Sequence, residues 1–438
     1  MTLERRLTDA LAGSSLAEQL RASATPFLER RSEDSAAQRL DGPALLGLAR
    51  VLASQPAVAA FLSHRPLFLE RVAGLTRDSL AERERTLAVD GEALSSADLE
   101  AALDALRLRR REEMAFAACV DLADLAPFEA ISDFLSVLAE TTAQTCLRLA
   151  RETLASKRAE ESFSVIGMGK IAGREFTHHS DLDLIFLYRG GPDRVDHASR
   201  LGQRLIAYLT TMTGAGVAYA VDTRLRPSGQ QGMLVTSFDG FERYQTDKAQ
   251  TWEHMAMLRA RPIAGETEGA DALLARVRAG ILARRDSPWQ HLDALRRRVE
   301  AERAREGNNA IAIKTGAGGL MDMDFLAGGG LLEAGTSAFP QLPSVRAMLE
   351  ACAADLRAEA LLRDYRLLRI AEAHARWVYG RSVEAIDATD AQLSTVAELV
   401  ESGLSAAGLL ERIAAARGRI RSAYEAVVRA GTIRALAG

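Results

Sequence analysis

Two aspartates two residues apart, Asp181 and Asp183 in Ser180-Asp181-Leu182-Asp183, open an apolar run that continues to Tyr188. If that run is a strand, both carboxylates project to one face, because strand side chains alternate. Side by side at the start of a buried strand, they repel unless a cation lies between them. Carboxylate oxygens are hard ligands, and Mg²⁺ binds through one or two of them plus substrate phosphates. A third acid, Asp222, ends another apolar run, Tyr219-Ala220-Val221-Asp222. If the two runs are neighbouring strands, Asp181, Asp183 and Asp222 converge on one sheet edge and can hold two divalent ions. Two ions suit an in-line displacement at phosphorus, one assisting the attacking oxygen and one the leaving group.

A glycine turn precedes the acids: Gly167-Met168-Gly169-Lys170, then Gly173. Backbone N–H groups around Gly167 and Gly169 can approach a triphosphate because no Cβ intervenes. Lys170 would add a positive charge and Ser180 a hydroxyl donor. The same glycines would also serve a plain strand-to-helix turn. The pattern lacks the GxxxxGK[ST] of a P-loop, and its third glycine falls one residue late for GxGxxG, which disfavours a dinucleotide site. After Asp222 come Arg224 and Arg226, whose guanidinium groups suit either phosphate or salt bridges beneath the acids. His178 and His179 are poor joint ligands, since adjacent strand side chains point opposite ways. Asp322, in Lys314 to Phe325 (KTGAGGLMDMDF), is a further acid that could face the site, and Gly316, Gly318 and Gly319 shape a turn there.

The elements that must position these residues follow from periodicity. Ser162 to Ile166, Leu182 to Tyr188 and Val217 to Val221 read as strands, with an amphipathic helix over about Ala198 to Met212. Strand, Gly-rich turn, strand, helix, strand is a compact α/β unit. Around it the chain is helical. Apolar residues recur at three and four in Ala44 to Leu52 and Leu99 to Leu108, and Pro43 suits a first helical turn. Trp252-Glu253-His254 reads as a helix start, Asp293 to Arg305 as an exposed charged helix, and helical periodicity returns from Ser344. The expected fold is mainly α, with an embedded α/β core built on a small mixed sheet and a C-terminal helical bundle. Its divisions fall at 1–155, 156–265, 266–335 and 336–438. The basic run Arg107 to Arg111 reads as a solvated helix face, with a docking patch as the alternative.

Of 438 residues, 48% are hydrophobic and only 5% aromatic. The abundance of Ala, Leu and Arg favours helix. A net charge of -4 and the lack of a basic, aromatic stripe argue against nucleic acid as partner. Cys119, Cys146 and Cys352 have no CxxC spacing, which fits a reducing compartment and buried thiols. No stretch reaches the roughly 18 apolar residues of a membrane span, and the N-terminus lacks a signal-peptide core. The expectation is a cytoplasmic protein with no membrane contact.

The stretches GMGKIAGREFTHHSDLDLIFLY, VAYAVDTRLRPSGQQGMLVTS, TWEHMAMLRARPIAG and IAIKTGAGGLMDMDFLA together resemble the glutamine synthetase adenylyltransferase family. The likeness is dense over 163–262 and 311–326 and loose elsewhere. It implies a nucleotidyltransferase core at 156–265, with Asp181, Asp183 and Asp222 as ligands of two Mg²⁺ ions. Gly167, Gly169 and Ser180 would lie at the phosphates of ATP. Members usually carry two such halves, one adding AMP to glutamine synthetase and one removing it. The RLRPSG-x-x-GMLVTS and TWEH wording looks more like the C-terminal, adenylylating half. The implied reaction is AMP transfer from ATP to a tyrosine of glutamine synthetase, with a PII-type signal protein and glutamine as regulators. The alternatives are phosphorolytic removal of AMP and a non-catalytic nucleotide-binding regulatory module. The family commonly has glutamate where this chain has Asp324, which leaves the role of Asp324 open.

Overall fold

The computed structural model describes residues 1–154, 162–284, 287–307, 309–335, 339–353 and 356–436. Positions 155, 156 and 336, where two expected boundaries fall, lie outside those residues, as do 437 and 438.

The sheet grows from two buried strands. β1 (Phe163–Gly167) and β2 (Leu182–Tyr188) pair antiparallel, from Phe163 opposite Tyr188 to Gly167 opposite Leu184. Helices cover both, so their side chains are buried on both faces, Asp183 only partly. This is why the runs read as continuously apolar and not alternating. Two short strands add in parallel to the free edge of β2. β3 (Val221–Asp222) pairs with its start and β4 (Val235–Ser237) with its end. β5 (Arg261–Gly265) lies antiparallel on the other side of β1. The sheet is therefore small and mixed, in the order β3-β2-β1-β5.

The sequence reading differs here in two places. The third expected strand, Val217 to Val221, shrinks to Val221–Asp222. The N–H groups of Ala218 and Tyr219 both donate to the Leu209 carbonyl, at 3.1 and 3.0 Å. They satisfy an orphan acceptor at a helix end instead of a ladder. Conversely, Arg261–Gly265, not among the expected strands, forms β5. Pro262 is accommodated on an edge strand beside the register shift at Val165/Ile166.

Helices surround this sheet. Helix Gly42–Ser54 carries Pro43 in its first turn and is capped by Asp41, which accepts from the Ala44 N–H. Phe128–Thr153 lies across β5 and packs on Val195–Thr210, the crossover helix before β3. The expected helix over Leu99 to Leu108 extends to Leu122. Its arginines overturn both readings of that basic run. Arg107 is wholly buried and donates to the carbonyls of Tyr208 (3.0 Å) and Thr211 (2.9 Å). Arg110 lies over the Tyr219 ring and Arg111 over the Phe61 ring. Arg107 and Arg110 brace the helical region against the core.

Towards the C-terminus, helices Val345–Cys352, Leu356–Tyr379, Leu393–Val400 and Ala406–Ala430 pack together. Ala310–Ile311 pairs antiparallel with Ile386–Asp387, joining this region to the Gly-rich stretch. One contiguous apolar core runs through all of it. Among the described residues no single helix is long and apolar enough to cross a membrane. Cys119 and Cys146 are buried and Cys352 half-buried, and burial pushes the thiols of Cys146 and Cys352 up to about 12.

Candidate active site

Parallel pairing of β2 with β3 sets Leu182 opposite Val221 and Asp183 opposite Asp222. The Leu182 N–H donates to the Ala220 carbonyl at 2.9 Å, which fixes this register at the mouth of the strands. Asp181 precedes β2 and is exposed, while Asp183 and Asp222 are half-buried. Each of the three acids offers a carboxylate oxygen, and these all lie within 4.8 Å of one another. Burial, then the charges of Asp181 and Asp222, push Asp183 up to about 7 against the pull of Lys314 and Lys170. Partial burial would raise Asp222 too, but hydrogen bonds and charge from Arg224 lower it. The donor set is three hard oxygens with too little positive charge among them, which fits divalent cations.

The glycine turn meets this cluster at one residue. Gly169 has φ +56°, and a Cβ there would stand 3.0 Å from Asp183 Oδ2. Both the backbone conformation and the close approach require glycine. The Met168 N–H donates to the Asp183 carbonyl at 2.9 Å, carrying the ladder up to the turn. Gly167 serves packing, since a Cβ there would meet Ile263 Cγ2 at 2.8 Å.

The other residues singled out in the sequence take varied positions. Arg224 clasps Asp222, with Nε at 2.7 Å from Oδ2 and its own N–H at 2.8 Å from Oδ1. Arg226 ties its loop together through the Thr223 carbonyl and hydroxyl, both at 2.8 Å, and the Gly232 carbonyl at 3.2 Å. The Ser180 hydroxyl is buried in its own turn and accepts from the Thr177 N–H at 3.2 Å. The Lys170 ammonium is held by Glu372, at 2.6 and 2.8 Å. His178 is buried against Trp377, and burial lowers it to about 3. Glu253 closes a capping box with Gln250 and accepts from the Tyr244 hydroxyl. Asp324 accepts from Arg259 at 2.8 Å. Asp322 does not face the acids. It is wholly buried, bonded to Arg296 and to the Gly318 N–H, and it shapes the Gly-rich turn.

Four neighbours of the site were not singled out in the sequence. Glu372 lies on helix Leu356–Tyr379, wholly buried. Burial alone would raise its carboxyl, but Lys170, Arg376 and Arg369 override that and hold it far below the usual range. Arg376 also donates to the His179 carbonyl at 3.1 Å, so one C-terminal helix grips both the glycine turn and the loop leading to Asp181. The 369, 372 and 376 spacing is a sequence signal for one charged helix face, but it does not distinguish a buried face from a solvated one. The charges of Lys314 and Arg303 also reach the acids. Lys314 acts on Asp183 and Arg303 on Asp222, each lowering that carboxyl.

The family model for glutamate-ammonia ligase adenylyltransferase matches residues 45–276. That span encloses the three acids and the glycine turn and ends before Lys314 and Glu372. A bifunctional glutamine synthetase adenylyltransferase/adenylyl-removing enzyme of Xanthomonas axonopodis pv. citri is 37% identical over 345 residues, 74% of this chain and 35% of that protein. The protein of the same name from Chromobacterium violaceum is 36% identical over 288 residues, 64% of this chain and 32% of its own length. That of Thioalkalivibrio sulfidiphilus is 34% identical over 313 residues, covering 65% and 32%. The chain thus spans about a third of the length of the curated relatives it matches.

Proposed function

The chain belongs to the glutamate-ammonia ligase adenylyltransferase family, and on that premise we propose that it transfers AMP from ATP to a tyrosine hydroxyl of glutamine synthetase and releases pyrophosphate. The observation that carries this reading is the meeting of Asp181, Asp183 and Asp222 within 4.8 Å on two strands in register. Two Mg²⁺ ions held by these carboxylates would supply positive charge at the α-phosphate and at the leaving group. The chain's own residues do the rest. Gly169 leaves the backbone clear beside Asp183 for a phosphate to approach. Arg224, more than half exposed, can leave Asp222 for a phosphate oxygen without unpacking anything. Arg226 and the Ser180 hydroxyl hold the two loops that carry the acids. In the reaction the tyrosine oxygen bonds the α-phosphorus and its proton is lost. The bond from that phosphorus to the bridging oxygen breaks, and pyrophosphate leaves with the electron pair.

Glutamine synthetase is the partner in this reading, with a PII-type protein and glutamine as regulators of nitrogen assimilation in the cytoplasm. The wording of residues 224–237 and 251–254 favours the adenylylating direction. Incubation with glutamine synthetase, labelled ATP and Mg²⁺ should place label on a synthetase tyrosine, and Asp183→Asn should abolish it. Labelling that survives in Asp183→Asn refutes the site. Loss of AMP from pre-modified synthetase with phosphate, without any forward labelling, assigns the removing direction instead.

A further inference from the structure

We propose that the cavity between helices Thr251–Leu258 and Trp289–Arg303 is a second binding site, for a small organic anion with a flat apolar body. Neither the three acids nor the glycine turn lines it, so the inference stands apart from the AMP-transfer reading.

The cavity has a volume of about 540 Å³, within the range of small-molecule sites. Helix Trp289–Arg303 supplies one wall, where His291, Leu295 and Arg298 recur at four and three residues and so share one face. Gln250, Trp252 and His254, at the start of helix Thr251–Leu258, line it as well. Arg284, just past helix Glu268–Leu282, and Leu332 of helix Leu320–Ala334 complete the walls.

The charge on these walls has one sign. Among the described residues every ionisable group that lines the cavity is basic: Arg284, Arg298, His254 and His291. Composition does not explain this, since aspartate and glutamate outnumber lysine and arginine in the chain, 59 to 55. Three consecutive arginines show how the fold treats this face. Arg296 is bonded to buried Asp322, and Arg297 to Asp293 at 2.7 Å. Arg298, on the cavity, makes no hydrogen bond or ion pair among the described residues. Arg284 commits one N–H to the Thr246 carbonyl at 3.0 Å, and a guanidinium has five. The helix end adds to this charge. Trp289–Arg303 begins at the cavity, beside Ser287 and Pro288, with no side-chain cap on its first turn. An anion there accepts from N–H groups that no side chain serves.

The remaining surface suits a flat apolar body. Trp252 is half-buried, and its indole N–H donates to Gln250 Oε1 at 3.0 Å, which fixes the ring. His254 is tied through Nε2 to the Gln245 carbonyl at 3.0 Å and shapes the wall. Leu295 and Leu332 add aliphatic contact. Inorganic phosphate would leave this apolar surface uncovered, whereas an organic anion covers it and meets the arginines together.

Fluorescence titration of the full chain with anilinonaphthalene sulfonate tests this, beside its neutral parent phenylnaphthylamine, which has the rings without the sulfonate. Wild type should bind the sulfonate saturably. Arg298→Ala should weaken it about tenfold, the loss of one charge-assisted contact, and adding Arg284→Ala should weaken it further. Both arginines are exposed, so the fold should survive. Affinity for the neutral dye should be unchanged in these variants, while Trp252→Ala should weaken both dyes. No saturable binding of the sulfonate overturns the proposal, as does wild-type affinity in the doubly substituted protein. An equal loss of both dyes in Arg298→Ala overturns it too, because the arginine would then be structural. Displacement of the sulfonate by ATP with Mg²⁺ would assign the cavity to the nucleotide of AMP transfer and overturn a separate site.

Discussion

Acids occur in two settings in this molecule, and the contrast between them defines the site. Glu372 and Asp322 are wholly buried, and each is surrounded by cations of the same chain: Lys170, Arg369 and Arg376 for one, Arg296 and Arg421 for the other. Asp181, Asp183 and Asp222 are more exposed and yet less compensated, with Arg224 the one cation bonded to them among the described residues. An acid the fold uses for itself arrives with its counter-charges. A cluster left short of them keeps Asp183 at about 7, a standing cost that a ligand can remove.

The sharpest way to break that comparison is to neutralise one acid in each setting. Asp183→Asn should lower AMP transfer on the order of a thousandfold, several kcal/mol of lost metal assistance. Its thermal midpoint without divalent ions should hold or rise, because one of three repelling charges is gone. A fall in that midpoint would place Asp183 with the structural acids. Glu372→Gln should do the reverse to the fold. It leaves Lys170, Arg369 and Arg376 buried without their acid, which costs roughly 3–5 kcal/mol by analogy with other broken buried pairs. Urea unfolding measures it, and a loss under about 1 kcal/mol would mean that Glu372 acts as a surface pair does.

Acidity sharpens the same contrast more gently. The folded pKa of Glu372 lies below its ordinary 4.5, so its contribution to stability is complete above that value. The contribution is lost as pH falls from there towards the folded pKa, because the unfolded chain takes up the proton first. Urea midpoints measured from pH 7 down to about pH 3.5 should therefore fall more steeply in wild type than in Glu372→Gln. Parallel curves would remove Glu372 as a source of acid sensitivity.

How much of this was legible in the sequence depended on range. Asp181 and Asp183 are two residues apart at the start of a long apolar strand, so their common face followed from alternation. Asp222 needed strand adjacency, which a two-residue strand barely encodes, and its motif supplied what periodicity could not. The glycine turn was visible, but not that Gly169 would approach Asp183 while Gly167 packed on Ile263. The commitments of Lys170 to Glu372 and of Arg107 to two helix-end carbonyls were not legible. Each joins positions about a hundred residues apart or more, at 170 and 372 or at 107 and 208. A charged helical stripe looks the same in sequence whether it faces water or a buried partner. β5 was hidden for a local reason, a proline in a short edge strand.

The smallest expected effect tests whether Arg224 stands in for a missing cation. Its guanidinium holds Oδ2 of Asp222 while its backbone N–H holds Oδ1, but the side chain is 58% exposed while that of Asp222 is 17% exposed. Solvent screening limits such a pair to about 1 kcal/mol or less. Arg224→Ala should therefore barely change the urea midpoint. It frees Asp222 from a competitor, so Mn²⁺ titrated into the nucleotide-free protein should bind a few times more tightly, within about the same 1 kcal/mol. AMP transfer should fall at the same time, because the guanidinium released from Asp222 is the one available to a phosphate. Tighter ion binding with undiminished transfer would leave Arg224 as a brace for its loop. Weaker ion binding would mean that Arg224 orients Asp222 for the ion, and the third acid would then resemble the self-sufficient ones.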